Sequence, residues 1–140
     1  MSKIMVPVDG SDCSVRAIQE AIRIAGAEPS EIFALNVQPP IVSGHARMFL
    51  SNEVIQDYYD SEGKLALKTV EPALAQSGLT FRLDKQIGPV AETIADYARE
   101  HGCDLIVMGT RGLGSVAGML LGSVATKVVH LASMPVTLVK

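Results

Sequence analysis

The chain is poor in the residue types that build disulfide frameworks and metal clusters. Its 140 residues contain two cysteines, three histidines and no tryptophan. Cys13 and Cys103 form no CxxC pair, so the sequence gives no support to a zinc ribbon or a thioredoxin-like site. His45, His101 and His130 are too widely spaced for the helical zinc signatures. Two isolated thiols fit a reducing compartment, and we expect both to be packed in the core.

Long apolar runs and an excess of positive charge are also missing. No charge-free run is longer than 15 residues, and the one at residues 112–126 is rich in glycine, whereas a membrane-spanning helix needs roughly 20 apolar residues. The apolar stretch at residues 4–8 is too short for the core of a signal peptide. The formal net charge of −3 argues against non-specific binding to nucleic acid. We therefore expect a cytoplasmic protein that binds neither nucleic acid nor membranes.

Acidic residues are absent from the last quarter of the chain. Residues 1–104 carry a net charge of −6, and residues 105–140 carry +3. The segment is either buried core, which excludes carboxylates, or a region where an anion binds. Composition alone favours buried core.

Short apolar segments alternate with amphipathic segments along the whole chain. The apolar segments predict strands at residues 3–8, 31–37, 80–87, 104–108 and 135–139, with helices between them. Strict alternation predicts a parallel sheet covered on both faces, hence one α/β domain over residues 1–140 with a Rossmann-like three-layer α/β/α sandwich. Such sheets bind ligands at the carboxyl ends of their strands, so we expect a site after Val8, Val37 and Met108.

The longest helical stretch, residues 52–77, contains a proline. Pro72 predicts a kink or a restart of the helix there. Helical spacing predicts six inner positions, which are Val54, Ile55, Tyr58, Leu65, Val70 and Leu74. Residues 80–87 alternate apolar and polar side chains, which predicts a strand at the edge of the sheet.

The segment between the fourth strand and the last helix is rich in glycine. Five glycines fall within 14 residues, at positions 109, 112, 114, 118 and 122. Backbone amides of such a loop and of a following helix N-terminus can bind phosphate, with Ser123 as a hydroxyl donor and Arg111 or Lys127 supplying charge. A flexible surface loop or a close helix–sheet contact is the alternative explanation. The spacing of these glycines excludes a Walker A loop. The segment also lacks the acidic residue that follows the glycines of a dinucleotide-binding fingerprint.

These residues also resemble a known family. The spacing Gly109-x2-Gly112-x9-Gly122-Ser123 is similar to the nucleotide-binding signature G-x2-G-x9-G-[ST] of the universal stress protein family. Residues 4–11 (IMVPVDGS), 101–114 (HGCDLIVMGTRGLG) and 122–139 resemble further family segments in the same order. The resemblance implies a five-stranded sheet of order 3-2-1-4-5. Because the chain keeps the loop, it also implies binding of ATP, or of ADP or AMP.

The resemblance assigns a role to each matching position. Pro7, Val8 and Asp9 would line the ribose and adenine side of the cleft, and Val37 would meet the adenine edge through its backbone. Met108 and Gly109 would flank the ribose, and the phosphates would lie on Gly112, Gly122, Ser123 and Val124. Arg111 is a further candidate for phosphate contact. Asp9 would bind ribose hydroxyls or help to hold Mg²⁺ near the phosphates, unless it is only a turn or capping residue.

Three functions fit these expectations. The first is a regulatory module of the stress response whose glycine loop is ordered by ATP. The second is a slow ATPase or autokinase, for which no arranged general base is evident in the sequence. The third is a homodimeric scaffold that pairs through the last strand, Pro135 to Val139, in which nucleotide is only structural.

Overall fold

Five parallel strands form one sheet in the order β3-β2-β1-β4-β5. The computed structural model describes residues 2–26, 28–41, 49–113, 118 and 120–140. The strands are β1 (Ser2–Pro7), β2 (Ser30–Gln38), β3 (Thr80–Ile87), β4 (Leu105–Gly109) and β5 (Val136–Val139). The helices that lie wholly within the described residues are α1 (Asp12–Ala25), α2 (Asn52–Lys68), α3 (Glu71–Ser77), α4 (Val90–Glu100) and α5 (Ser123–Leu131). The predicted α/β class, the strand order and the edge position of β3 are confirmed.

Each face of the sheet has its own apolar core. β1 lies at the centre and is paired with β2 from Ser2–Ser30 to Pro7–Leu35. Because side chains alternate along a strand, Ile4 and Val6 enter one core, and Met5 enters the other. Helices α1, α2 and α3 contribute to the first core, and α4 and α5 contribute to the second. The sheet is therefore covered on both faces, as continuously apolar strands require.

The helix boundaries follow local capping chemistry. The Ser11 hydroxyl caps α1 by accepting a hydrogen bond from the Ser14 amide at 3.2 Å. Gly26 follows the last residue of α1 with a φ of 54°, a conformation that favours glycine. The predicted restart near Pro72 is confirmed, because α2 ends at Lys68 and α3 begins at Glu71 with the proline in its first turn.

The predicted inner face of residues 52–77 is partly wrong. Val54, Tyr58 and Leu65 are 50%, 51% and 60% exposed. The buried positions of α2 are Ile55, Tyr59, Gly63, Ala66 and Leu67. The inner face contains small residues because the helix packs closely on the sheet: a Cβ on Gly63 would lie 2.6 Å from the Cδ of Lys85.

None of the helices in the described part of the chain is both long and apolar enough to cross a bilayer. Of the glycine-rich segment, residues 114–117 and 119 lie outside the described residues, and so does His45.

Candidate functional site

A cavity of about 270 Å³ opens at the carboxyl ends of β1, β2 and β4. It lies where the chain leaves β1 towards one side of the sheet and β4 towards the other, the position at which ligands bind open α/β sheets. All eleven site residues predicted from the sequence line it: Pro7, Val8, Asp9, Val37, Met108, Gly109, Arg111, Gly112, Gly122, Ser123 and Val124. Sequence reasoning missed seven further lining residues, which are Ser14, Leu35, Val90, Ile94, Thr110, Leu113 and Ala125.

One wall of the cavity is apolar. Val8, Leu35, Ile94 and Met108 are buried core residues that also line the cavity. They come from both cores and meet where the pairing of β1 with β2 ends. These four side chains form an apolar surface, which we call the slot. It suits a flat apolar group, such as an aromatic ring, better than a hydrated ion.

Asp9 connects the end of β1 to the glycine loop. Its Oδ1 accepts hydrogen bonds from the Ser11 amide, at 2.9 Å, and from the Ser11 hydroxyl. Its Oδ2 accepts a hydrogen bond from the Leu113 amide at 3.1 Å. Asp9 is therefore a turn residue and a cavity residue together, and its carboxylate holds the loop against β1.

Gly112 and Gly109 are explained by close packing. A Cβ on Gly112 would lie 2.2 Å from Oδ2 of Asp9. A Cβ on Gly109 would lie 2.6 Å from Sγ of Cys13, so α1 approaches β4 there. The explanation by close helix–sheet contact thus holds for Gly109, and Gly112 gives the Asp9 carboxylate access to the loop.

The first turn of α5 lines the cavity. Gly122 precedes α5 in an extended conformation, no side chain caps the helix, and its first turn contains no acid. The Gly122 amide donates to the Thr110 carbonyl at 2.6 Å. The amides of Ser123, Val124 and Ala125 have no intrahelical partners, as at any helix start. Together with the helix dipole, these donors favour an anion.

Thr110 organises this part of the site, and sequence reasoning missed it. Its side chain is buried. Its amide donates to the Val139 carbonyl at 2.8 Å, and its carbonyl accepts from Gly122. Thr110 therefore joins β5, the loop and the start of α5. Its position directly after β4 was the available signal.

Among the described residues that line the cavity, one is a cation and one is a carboxylate. Arg111 is exposed and lines the cavity, whereas Lys127, the other predicted cation, is exposed on α5 and is not a lining residue. The acidic one of these described lining residues is Asp9. The described residues contain no cluster of three or more His, Cys, Asp or Glu side chains that would hold a metal ion by itself.

Both cysteines are buried and unbonded to each other, which confirms that they are packed thiols. The Cys13 thiol donates a hydrogen bond to the Val139 carbonyl at 3.2 Å. Burial raises the pKa of the Cys103 thiol to about 11. Both thiols are structural parts of the core: Cys13 packs against Gly109 beside the site, whereas Cys103 precedes β4 at the amino ends of the strands.

Comparisons with known proteins point to one family. The model of the universal stress protein family matches residues 1–140. A universal stress protein of Methanocaldococcus jannaschii is 38% identical over 140 residues, which cover 99% of this chain and 81% of that protein. The solved structure of universal stress protein UspA from Lactobacillus plantarum superposes with a TM-score of 0.83 at 29% identity, over 99% of this chain and 97% of that one.

Solved structures with nucleotides are also similar. A universal stress protein in complex with cAMP has a TM-score of 0.65 and 25% identity, over 98% of this chain and 94% of that one. Two more distant structures share the fold. The protein from Archaeoglobus fulgidus in complex with dAMP has a TM-score of 0.73 at 24% identity, covering 100% and 98% of the two chains. The Arabidopsis thaliana protein with AMP bound has a TM-score of 0.71 at 22% identity, over 100% of this chain and 92% of that one.

Proposed function

We propose that this chain, which belongs to the universal stress protein family, binds an adenine nucleotide in the cavity at the carboxyl ends of β1, β2 and β4. The observation that carries the proposal is the pairing of an apolar slot with the uncapped amides of α5 in one cavity. The nucleotides in related structures support it. The base would occupy the slot, and the phosphates would lie against Gly112, Gly122, Ser123 and Val124.

ATP is the nucleotide that we propose, with ADP and AMP as the alternatives. The residues present fit its parts: the slot is apolar, α5 offers three amides, and Arg111 is the cation at the rim. Mg²⁺ would neutralise charge on the phosphates, and Asp9 is the carboxylate that would help to hold it. One protein carboxylate plus phosphate oxygens is a common environment for this ion.

The regulatory role that we propose depends on the hydrogen bond between Asp9 and the Leu113 amide. A nucleotide that contacts Asp9 or this amide would bind with one affinity when the hydrogen bond is made and with another when it is broken. Such a difference is what allows a ligand to shift a conformational equilibrium. The loop of a cytoplasmic stress protein would in this way report nucleotide binding to a partner.

A homodimer is the assembly that we propose, with β5 at the interface. β5 pairs with β4 along Val136–Val139 and lies at the edge of the sheet. An edge strand presents backbone donors and acceptors that a second strand can satisfy. A two-fold axis beside β5 would join two sheets into one.

The direct test is to identify the nucleotide and then measure its binding. Protein purified without added ligand is denatured, and the released small molecules are analysed by mass spectrometry. Calorimetry then compares ATP, ADP, AMP and adenosine on nucleotide-free protein. We expect one site per chain and weaker binding of adenosine, which lacks phosphate. No heat and no shift in melting temperature with any of the four would refute the proposal.

Turnover is tested separately from binding. Single-turnover incubation with radiolabelled ATP measures ADP formation and protein labelling for the wild type and for Asp9→Ala. We expect no ADP above the uncatalysed background, since a binding module has no positioned general base. ADP formation that depends on Asp9 would support the ATPase instead.

A further inference from the structure

The hydrogen-bond ladder between β1 and β2 ends at Val8, whose carbonyl accepts from a side chain. Pairing of β1 with β2 ends at Pro7 with Leu35. The Val8 amide still donates to the Leu35 carbonyl at 2.8 Å. In a continuing parallel ladder, the next bond would run from the Val37 amide to the Val8 carbonyl. In the structure, the Val8 carbonyl accepts instead from Nδ2 of Asn36, at 2.8 Å.

Asn36 is fixed in this orientation. Its side chain is 2% exposed, and its Oδ1 accepts a hydrogen bond from Nε2 of Gln38 at 2.9 Å. Gly63 of α2 packs directly over it, because a Cβ there would lie 3.4 Å from Oδ1. Nδ2 is therefore the atom that faces Val8, and the amide group has little room to turn.

The consequence concerns the backbone of Val37. Successive residues of β2 direct their backbone hydrogen bonds to opposite neighbours. The Leu35 carbonyl accepts from Val8, on the β1 side, and the Gln38 carbonyl accepts from Gly88, on the β3 side. Val37 follows the Leu35 pattern, so its N–H and C=O point towards the side of β1. β1 has ended there, and Val37 lines the cavity.

We propose that Asn36 is a positioning residue that keeps the Val37 N–H and C=O available to read the edge of a purine base. The proposal rests on the proposed nucleotide function. An N–H beside a C=O complements adenine, which has an acceptor at N1 and a donor at N6. Hypoxanthine has the opposite pattern, with a donor at N1 and an acceptor at O6. The site should therefore prefer adenine, and this preference should depend on Asn36.

The test compares AMP with inosine 5′-monophosphate by calorimetry. We expect the wild type to prefer AMP by roughly tenfold or more, since a mismatched edge leaves polar groups unpaired. Asn36→Leu keeps the approximate shape but has no donor, so Val37 can pair with Val8. We expect its preference to fall below about threefold, with inosine monophosphate affinity within roughly twofold of wild type.

Ser30→Ala is the matched control. Ser30 is a buried polar residue of the same strand, at its other end, and its hydroxyl donates to the Glu28 carbonyl at 3.3 Å. A purely structural loss should lower the melting temperature in both variants. Only Asn36→Leu should lower the preference for AMP over inosine monophosphate.

The outcomes separate the two proposals. A wild type that binds no adenine nucleotide refutes the proposed function. A wild type that binds AMP and inosine monophosphate equally, or an Asn36→Leu variant that keeps the preference, overturns the role of Asn36 and leaves nucleotide binding intact.

Amide hydrogen exchange in the wild type decides the matter if Asn36→Leu does not fold. Without nucleotide, the Val37 amide should exchange at least about tenfold faster than that of Leu35, and AMP should protect it. Equal protection of both amides before AMP is added would contradict the proposal.

Discussion

At the scale of single residues, Asp9 and Gly112 form one unit. The Asp9 carboxylate reaches the Leu113 amide only because position 112 has no side chain. The sequence predicted both residues as ligand contacts. Their dependence on each other could not be predicted, because they are 103 positions apart and only the fold brings them together.

Gly112→Ala tests this unit. The added Cβ would lie 2.2 Å from Oδ2 of Asp9, so the carboxylate or the loop must shift. We expect a loss of about 1–3 kcal/mol in the free energy of unfolding, as in other overpacked sites. In an Asp9→Ala background the same substitution should cost at least about 1 kcal/mol less. Urea unfolding of the four proteins measures this coupling, and equal costs in both backgrounds would contradict the account.

The buried Cys103 thiol and Tyr97 hydroxyl predict how the free energy of unfolding depends on pH. Burial raises the pKa of the Cys103 thiol to about 11 from its ordinary value of 9.0. Burial and the hydrogen bond that the Tyr97 hydroxyl donates to Asp84, at 2.9 Å, raise the pKa of Tyr97 above its ordinary value. Both groups stay protonated in the folded protein at a pH where the unfolded chain ionises. Their stabilisation is complete below pH 9 and is lost as the pH rises.

We therefore expect the free energy of unfolding to fall between pH 9 and about 11. Urea unfolding monitored by circular dichroism at several pH values measures the slope. Cys103→Ala should make the fall shallower, while Cys13→Ala is the control for loss of a buried thiol. A stability that rises or stays constant over this interval would be inconsistent with the burial of these groups.

At the scale of elements, sequence patterns predicted a helix boundary best where it depends on residues close to it in the chain. The restart of the helix at Pro72 is a local feature, and a kink or restart was predicted there. The inner face of α2 was not, because Val54 and Tyr58 form an apolar stripe while Gly63 makes the close contact with the sheet. Hydrophobic periodicity gives weight to large side chains and therefore overlooks a face selected for small ones.

A substitution in the first turn of α5 should change the stability of the protein and its affinity for nucleotide in opposite directions. Ser123→Asp places a negative charge in the first turn, where it interacts favourably with the helix dipole. We expect the ligand-free protein to gain about 0.3–1 kcal/mol of stability. The same charge should repel phosphate and lower nucleotide affinity at least tenfold, roughly 1.4 kcal/mol. Ser123→Asn is the neutral control; a variant that binds ATP as tightly as this control would argue against phosphate at α5.

At the scale of the whole molecule, alternating strands and helices predicted the layered sheet, and the resemblance supplied the strand order. The assembly is the part that the fold leaves to experiment. Pro135 and Val139 accept hydrogen bonds from Ile106 and Thr110 of the β4 side. Since alternate residues of a strand bond to opposite neighbours, the backbone groups of Leu138 face outward from the sheet.

Leu138→Pro removes one outward amide while keeping the bonds to β4, because proline is tolerated on an edge strand. If two copies pair through β5, we expect the dissociation constant of the dimer to rise at least about tenfold in sedimentation equilibrium. Leu138→Ala, which keeps the amide, controls for the lost side chain. Dimers of unchanged strength in the proline variant would place the interface elsewhere.

Above all, we propose that main-chain amides at the carboxyl edge of the sheet bind the phosphates of an adenine nucleotide. Titration of ¹⁵N-labelled protein with ATP, followed by NMR, tests it most directly. We expect saturable shifts at one equivalent per chain, largest for the amides of Gly112, Leu113, Ser123 and Val124, and smaller phosphate-region shifts with adenosine. Shifts confined to other surfaces, or a spectrum unchanged by excess ATP, would contradict it.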